Sequence, residues 1–224
     1  MEPQFIILIV FTYLLGSIPF GFLIAKAHGK DLRKIGSGNI GATNATRALG
    51  KKWGYLCLLL DVLKGLIPML LVSAMNLVDT KTAGPGGLAL WLLVGCAAVL
   101  GHVFPVYLKF KGGKGVATSL GIVLGLWPYY TLCGVGAFLI WLITLLIWRY
   151  VSLSSILAAV SFPVILLLSI LVRDKPWDFS QLWPLLLLSV LIALLVVVRH
   201  TGNIKRLLEG SETKILQSKN ATNS

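Results

Sequence analysis

Three polar segments, rich in glycine and basic residues, interrupt an otherwise apolar chain, and their residue types suit phosphate. The first runs Gly36-Ser37-Gly38-Asn39-Ile40-Gly41-Ala42-Thr43-Asn44-Ala45-Thr46-Arg47. The second is Lys109-Phe110-Lys111-Gly112-Gly113-Lys114-Gly115, and the third Arg199-His200-Thr201-Gly202-Asn203-Ile204-Lys205-Arg206. Glycine lets the backbone approach a ligand and offer its N–H groups, while Lys and Arg bring positive charge. In the first segment Gly36, Gly38 and Asn39 are candidate anion donors, Ser37 adds a hydroxyl, and Arg47 offers a fork that fits phosphate. In the second, Lys111 and Lys114 join Gly112, Gly113, Gly115 and the N–H groups that open the next helix. In the third, His200 could orient a hydroxyl or relay a proton near neutral pH, with Asn203 on the same face if the helix continues.

Each segment also has a plainer reading: a flexible loop, a basic helix cap, and an interfacial anchor with a snorkelling arginine. Two familiar patterns are excluded. Gly36–Gly41 fits G-x-G-x-x-G, with Asp61 at the right distance, but an apolar helix precedes it where a dinucleotide fold needs a strand. Lys111–Gly115 resembles half a P-loop, but Gly115 stands where Ser or Thr follows Gly-Lys.

Four further sets of residues are candidates for supporting the site. Asp61 and Lys64 are charges three apart inside an apolar span, able to pair or to serve a site. His102 lies one to two turns before the second segment. Ser152, Ser154 and Ser155 could donate to phosphate or cap the next helix. Glu209 or Glu212 could tie the C-terminal stretch to the basic loops.

The elements that position these groups must be membrane helices. Of 224 residues 57% are hydrophobic and 12% charged, about half the charge of a soluble domain. Apolar stretches at 4–25, 53–74, 87–107, 116–127, 129–148, 155–172 and 182–198 predict an all-α polytopic protein of about seven transmembrane helices. The fourth stretch is short, about 18 Å as helix. The net charge of +12 fits basic loops at an anionic membrane surface better than nucleic acid, for which no module is present. With the N-terminus outside and the C-terminus inside, the three segments and Arg149 share the cytoplasmic face, leaving Lys81, Arg173 and Lys175 outside. The first stretch reads as a retained span, since no basic n-region precedes Ala25-Lys26-Ala27. Residues 1–212 form a single transmembrane catalytic domain and residues 213–224 a polar tail that frays. The sequon Asn220-Ala221-Thr222 falls on the cytoplasmic side, where it carries no meaning. Cys57, Cys96 and Cys133 are scattered in apolar stretches, so neither a disulfide framework nor a metal site is expected.

Together the segments resemble the bacterial acyl-phosphate-dependent glycerol-3-phosphate acyltransferases. The resemblance is carried by Gly36–Asn44 with Arg47, by Phe110–Thr118, and by Arg199-His200 with Asn203-Ile204, Arg206-Leu207 and Glu212. Gly16-Ser17-Ile18-Pro19 and Asp61-Val62-Leu63-Lys64-Gly65 are also family-like. The resemblance implies acyl transfer from acyl phosphate to the sn-1 hydroxyl of glycerol 3-phosphate in the bacterial inner membrane, without a cofactor. It implies Ser37, Arg47, His200 and Asn203 as catalytic residues and Glu212 as a structural carboxylate. It implies the glycine loop with Lys111 and Lys114 as binder of glycerol phosphate. The partners are then two phosphorylated substrates and membrane lipid, and the chain is expected to act as a monomer. A transporter or channel for an anionic metabolite is the alternative reading of the same cations, although such sites favour the midplane.

Overall fold

A computed structural model describes residues 3–78, 83–173 and 177–215; Lys81, Lys175, the sequon and the tail beyond 215 lie outside them. The described residues are all-helical in their regular structure. Six helical segments are long and apolar enough to cross a membrane, and one shorter apolar helix accompanies them. The expected first span is two helices, α1 (Pro3–Ser17) and α2 (Phe20–Ala27). The break falls at Ile18-Pro19, where proline lacks an N–H and disfavours helix in the residue before it. Two short helices lie outside the apolar stretches: α3 (Ala42–Leu49), where a flexible loop is the plainer reading, and α10 (Thr201–Leu208), which resumes the helix after the last span. Gly50, at φ +94, separates α3 from α4 (Lys51–Ala74).

The remaining helices are α5 (Pro85–Val103), α6 (Val116–Gly125), α7 (Tyr129–Trp148), α8 (Val151–Val172) and α9 (Phe179–Arg199). The α7 bounds coincide with the expected stretch. Helix α5 stops four residues early because Pro105 bars helix beyond Phe104. Helices α8 and α9 begin earlier than their apolar stretches, since Ser152–Ser155 and Phe179–Gln181 join the first turns.

Helix α1 packs on α5, α4 on α6, and α7 on α8, while α8 and α5 both touch α9. The main apolar core fills one end of the bundle, around Met69, Leu92, Ile122, Leu126, Tyr130, Leu166 and Leu182. Long apolar side chains such as Leu146, Leu171 and Val172 stay exposed on the outer surface, as lipid-facing positions require. The three polar segments gather at the other end.

Helix α6 is the shorter apolar helix and occupies the expected fourth stretch. It runs alongside α4, with Gly65 against the Thr118 carbonyl and Gly125 against Met69. Gly65 lies about 21 Å along α4 from Lys51, at about 1.5 Å per residue. The N-terminus of α6 therefore lies well along α4, inside the bundle, and the helix has ten residues. This pairing requires backbone-to-backbone approach, as small residues allow in membranes: a Cβ on Gly121 would lie 2.1 Å from the Val62 carbonyl oxygen.

A Gly121→Val substitution is expected to push α6 away from α4 at an overpacking cost of about 1–3 kcal/mol. Thermal unfolding in detergent should show a clearly lowered midpoint; an unchanged midpoint would contradict the close packing.

Candidate active site

The first segment folds around the side chain of Asn44, which is 2% exposed. Its amide Nδ2 donates to the carbonyls of Leu32, Ile35 and Asn39 at 3.0, 2.9 and 2.8 Å, and its Oδ1 accepts from Ser37 N at 3.3 Å. Gly36 passes so near Asn44 Oδ1 that a Cβ would be 2.5 Å from it. Asn44 is thus the post that the loop wraps, turned inward instead of toward a ligand. Asn39 has a similar local duty, its Oδ1 accepting Gly41 N at 2.8 Å. The turn leaves Ser37 exposed, with no hydrogen bond from its hydroxyl among the described residues. Arg47 rides on α3, exposed, and its Nη2 donates to the Thr213 carbonyl at 3.3 Å.

The glycine loop is organised differently from the expected anion cradle. Gly112 N donates to the Val103 carbonyl at 3.1 Å and Gly113 N to the His102 carbonyl at 3.0 Å. Those two N–H groups are therefore spent on the end of α5, whose last carbonyls need donors. The glycines serve close approach: a Cβ on Gly112 would meet the His102 carbonyl at 2.2 Å, and one on Gly113 the His102 ring at 2.1 Å. What remains for an anion is the start of α6. Gly115, at φ +84, turns the chain into it, and its first-turn N–H groups have no partner within the helix.

Arg199 ties the third segment to this loop. Its Nε and Nη2 donate to the carbonyls of Gly113 and Gly112 at 3.2 and 3.0 Å. His200 occupies a one-residue break between α9 and α10 and is 2% exposed. Its Nδ1 lies 2.7 Å from the Val196 carbonyl; a carbonyl only accepts, so Nδ1 carries the proton and Nε2 the lone pair. Asn203, on α10, accepts from Lys114 Nζ through Oδ1. Its Nδ2 donates to Glu212 Oε1 at 2.6 Å. Glu212 also accepts from Ser152 Oγ and Arg206 Nε, both at 2.7 Å. One chain of contacts therefore runs from Lys114 through Asn203 and Glu212 to α8.

The charges in this cluster do not balance. Glu212 is its carboxylate; Glu209 lies on the surface with Lys205, 3.8 Å away. Among the described residues Arg47, Arg199, Lys111 and Lys114 have no carboxylate within ion-pair distance. Burial, with the positive charges of Arg206, Arg47 and Arg199, pushes the Lys114 ammonium down to about 8 against the pull of Glu212. Burial and then the Lys114 charge push His200 down to about 4, so it is neutral at pH 7. Burial works against the Glu212 carboxylate, but hydrogen bonds from Ser152, Asn203 and Arg206 outweigh it and hold it below its ordinary range. A cavity of about 290 Å³ opens beside the loop, lined by Arg33, Gly38, Ile40, Phe110, Lys111, Gly112 and Arg199. It brings all three segments to one opening.

Other candidates lie apart. Ser154 and Ser155 bond back to the carbonyls of Tyr150 and Val151, while Ser152 reaches Glu212. Asp61 and Lys64 form a buried ion pair at 2.8 Å, and Lys64 Nζ donates to the Ile18 carbonyl at the α1–α2 break, 3.1 Å away. His102 lies beneath the glycine loop. Arg199 and Asn44 are the residues whose duties sequence reasoning missed. Both act on backbone carbonyls; the only sequence signal was their place inside the polar segments.

A bundle of apolar helices with an unbalanced cationic cluster at one end defines an integral membrane protein built to hold anions. The family model for glycerol-3-phosphate acyltransferase matches residues 6–210. The glycerol-3-phosphate acyltransferases of Geotalea daltonii and Aquifex aeolicus are each 46% identical over 92% of this chain, covering 95% and 96% of their own lengths. The Staphylococcus aureus enzyme is 41% identical over 94% of this chain and 97% of its own. The fold is similar to the crystal structure of PlsY, an integral membrane glycerol 3-phosphate acyltransferase, in its glycerol 3-phosphate form. That likeness has a TM-score of 0.80 and 43% identity over 95% of this chain and 96% of that one. The lysophosphatidic acid form matches with a TM-score of 0.78 and 42% identity, covering 95% of each chain. The chain belongs to the glycerol-3-phosphate acyltransferase family and is an acyltransferase of the membrane. These relatives leave the transporter reading without support.

Because Lys114 loses its proton near pH 8, anion binding is expected to weaken as pH rises through that value. Sulfate, whose own charge is constant in this range, should bind several-fold more weakly at pH 9.5 than at pH 7, and Lys114→Arg should flatten the dependence. Equal affinities at both pH values in the unsubstituted protein would contradict a titrating lysine at the site.

Proposed function

We propose that this enzyme, acting as a monomer, transfers an acyl group from acyl phosphate to the sn-1 hydroxyl of glycerol 3-phosphate, with its site facing the cytoplasm from the bacterial inner membrane. The observation that carries the reading is the placement of Lys114, held by Asn203 at the mouth of α6 with Arg47 and Arg199 nearby and uncompensated. Two phosphorylated reactants must meet, and unit charges about 6 Å apart repel by about 3 kcal/mol at an effective dielectric near 20. Surplus cations and helix-start N–H groups offset that repulsion and hold the reacting atoms together. The relatives solved in glycerol 3-phosphate and lysophosphatidic acid forms support the acceptor and the product. The excess of basic residues at the motif end supports the cytoplasmic orientation, and a site completed within one chain supports the monomer.

An acyl phosphate is a mixed anhydride and is already activated. The acceptor hydroxyl oxygen attacks its carbonyl carbon, the bond from that carbon to the phosphate oxygen breaks, and inorganic phosphate leaves. Nothing in the site demands a covalent acyl-enzyme. The three cysteines sit in α4, α5 and α7, and no hydrogen bond joins Ser37 to His200. With its proton fixed on Nδ1 and its conjugate acid at about 4, His200 is a weak base at pH 7. It accepts a hydrogen bond from the hydroxyl and aims it, while the departing phosphate takes the proton. Asn203 holds Lys114 in place for the same reactant.

Purified protein in detergent, given glycerol 3-phosphate, is expected to form 1-acyl-glycerol 3-phosphate with acyl phosphate and not with acyl-CoA. His200→Ala should lower kcat/KM at least about tenfold, or about 1.4 kcal/mol. Equal use of acyl-CoA would overturn the donor, and a smaller loss would reduce His200 to an anchor.

A further inference from the structure

His102 stands on the last turn of α5, 5% exposed, and the mechanism above gives it no part. Its ring is the floor of the glycine loop. Gly113 lies directly on it, since a Cβ there would be 2.1 Å from Nε2. On its other edge Nδ1 has no hydrogen-bond partner and faces Asp61 Oδ1 at 3.5 Å. Asp61 is in turn held by Lys64 at 2.8 Å and approached by Cys57 Sγ at 3.6 Å. A carboxylate next to an imidazole fixes which nitrogen carries the proton and how the ring is turned. Here the Asp61 carboxylate faces the Nδ1 edge and leaves the Nε2 edge turned toward the loop.

Gly113 is gripped from both faces. Its N–H donates to the carbonyl of His102 itself at 3.0 Å, and its carbonyl accepts from Arg199 at 3.2 Å. The next residue is Lys114, and α6 begins two residues later. A shift of the ring would therefore carry directly into the lysine and the helix start. We propose that His102, oriented by Asp61, is a positioning residue that sets the height of Gly113 and so aims Lys114 and the first N–H groups of α6 at the phosphate of glycerol 3-phosphate. This deepens, and rests on, the reading of the glycine loop as the glycerol phosphate binder.

Steady-state kinetics in detergent on His102→Leu, His102→Asn and Lys114→Gln test it. His102→Leu fills the space without polar atoms. It is expected to raise KM for glycerol 3-phosphate about tenfold while kcat stays within about threefold, because a grip common to ground and transition states is lost. KM for acyl phosphate should not move. His102→Asn keeps an N–H directed at Asp61 and is expected to recover most of the affinity. The proposal is overturned if the Leu and Asn variants fall equally, if both substrates' KM values rise together, or if kcat alone drops. Lys114→Gln separates the two levels. An unchanged KM there removes the loop from glycerol phosphate binding and takes this proposal with it. A raised KM there, with His102→Leu unaffected, overturns the positioning role alone. Should His102→Leu not fold, Asp61→Asn, of the same size, is expected to raise the same KM at least about threefold, and no change would overturn the proposal.

Discussion

The structure depends on keeping several positive charges together at the end of an apolar bundle before any anion arrives. Glu212 makes this possible without cancelling the charge. It binds Arg206 directly and reaches Lys114 only through Asn203. Burial by itself would neutralise a lysine or a carboxylate; hydrogen bonds from Ser152, Asn203 and Arg206 keep Glu212 charged, and the Glu212 charge in turn works against burial at Lys114. Arg199 and Arg47 spend their donors on carbonyls of Gly112, Gly113 and Thr213, which hold them in place and leave their charge free to act on a ligand. A phosphate dianion entering the cluster would complete the balance that the protein leaves open.

The helices serve this arrangement by depth. Because α6 starts far along α4, its free N–H groups open inside the bundle, where a dipole acts through less water than at a surface. The glycines that allow this, Gly65 and Gly121 on facing helices, do not contact the charged cluster. The apolar core at the opposite end anchors helices whose motif ends carry loops. The Asp61–Lys64 pair joins the two regions, since Lys64 also holds the open Ile18 carbonyl where the first span breaks.

Much of this was legible in the residues and some was not, for identifiable reasons. The apolar stretches announced the long helices because about 20 continuous apolar residues match a helix crossing a bilayer, whereas barrel strands are shorter and alternate, and the helix Tyr129–Trp148 has the bounds of its apolar stretch. The polar segments stood out against that background, as did the possibility that Asp61 and Lys64 pair at i, i+3. Helix α3 escaped because eight residues leave little periodicity to detect, whereas α10 follows the helical continuation that the third segment allows. The spending of the Gly112 and Gly113 N–H groups on α5 also escaped, because a glycine run does not state whether its backbone faces a ligand or a neighbouring helix. Asn44 and Arg199 were visible as polar residues, but their duties concern main-chain carbonyls, which every residue carries alike. Ser154 and Ser155 show the converse: a hydroxyl near a helix start can turn back onto its own helix.

A single shared face for the three segments is the condition on which the enzyme's chemistry rests. Single cysteines at Ser37, Lys111 and Lys205, each in a chain with Cys57, Cys96 and Cys133 replaced, measure it directly. A membrane-impermeant thiol reagent should label all three in inverted vesicles and none in intact spheroplasts. Labelling of the Lys205 position from the face opposite to Ser37 and Lys111 would contradict the assembly.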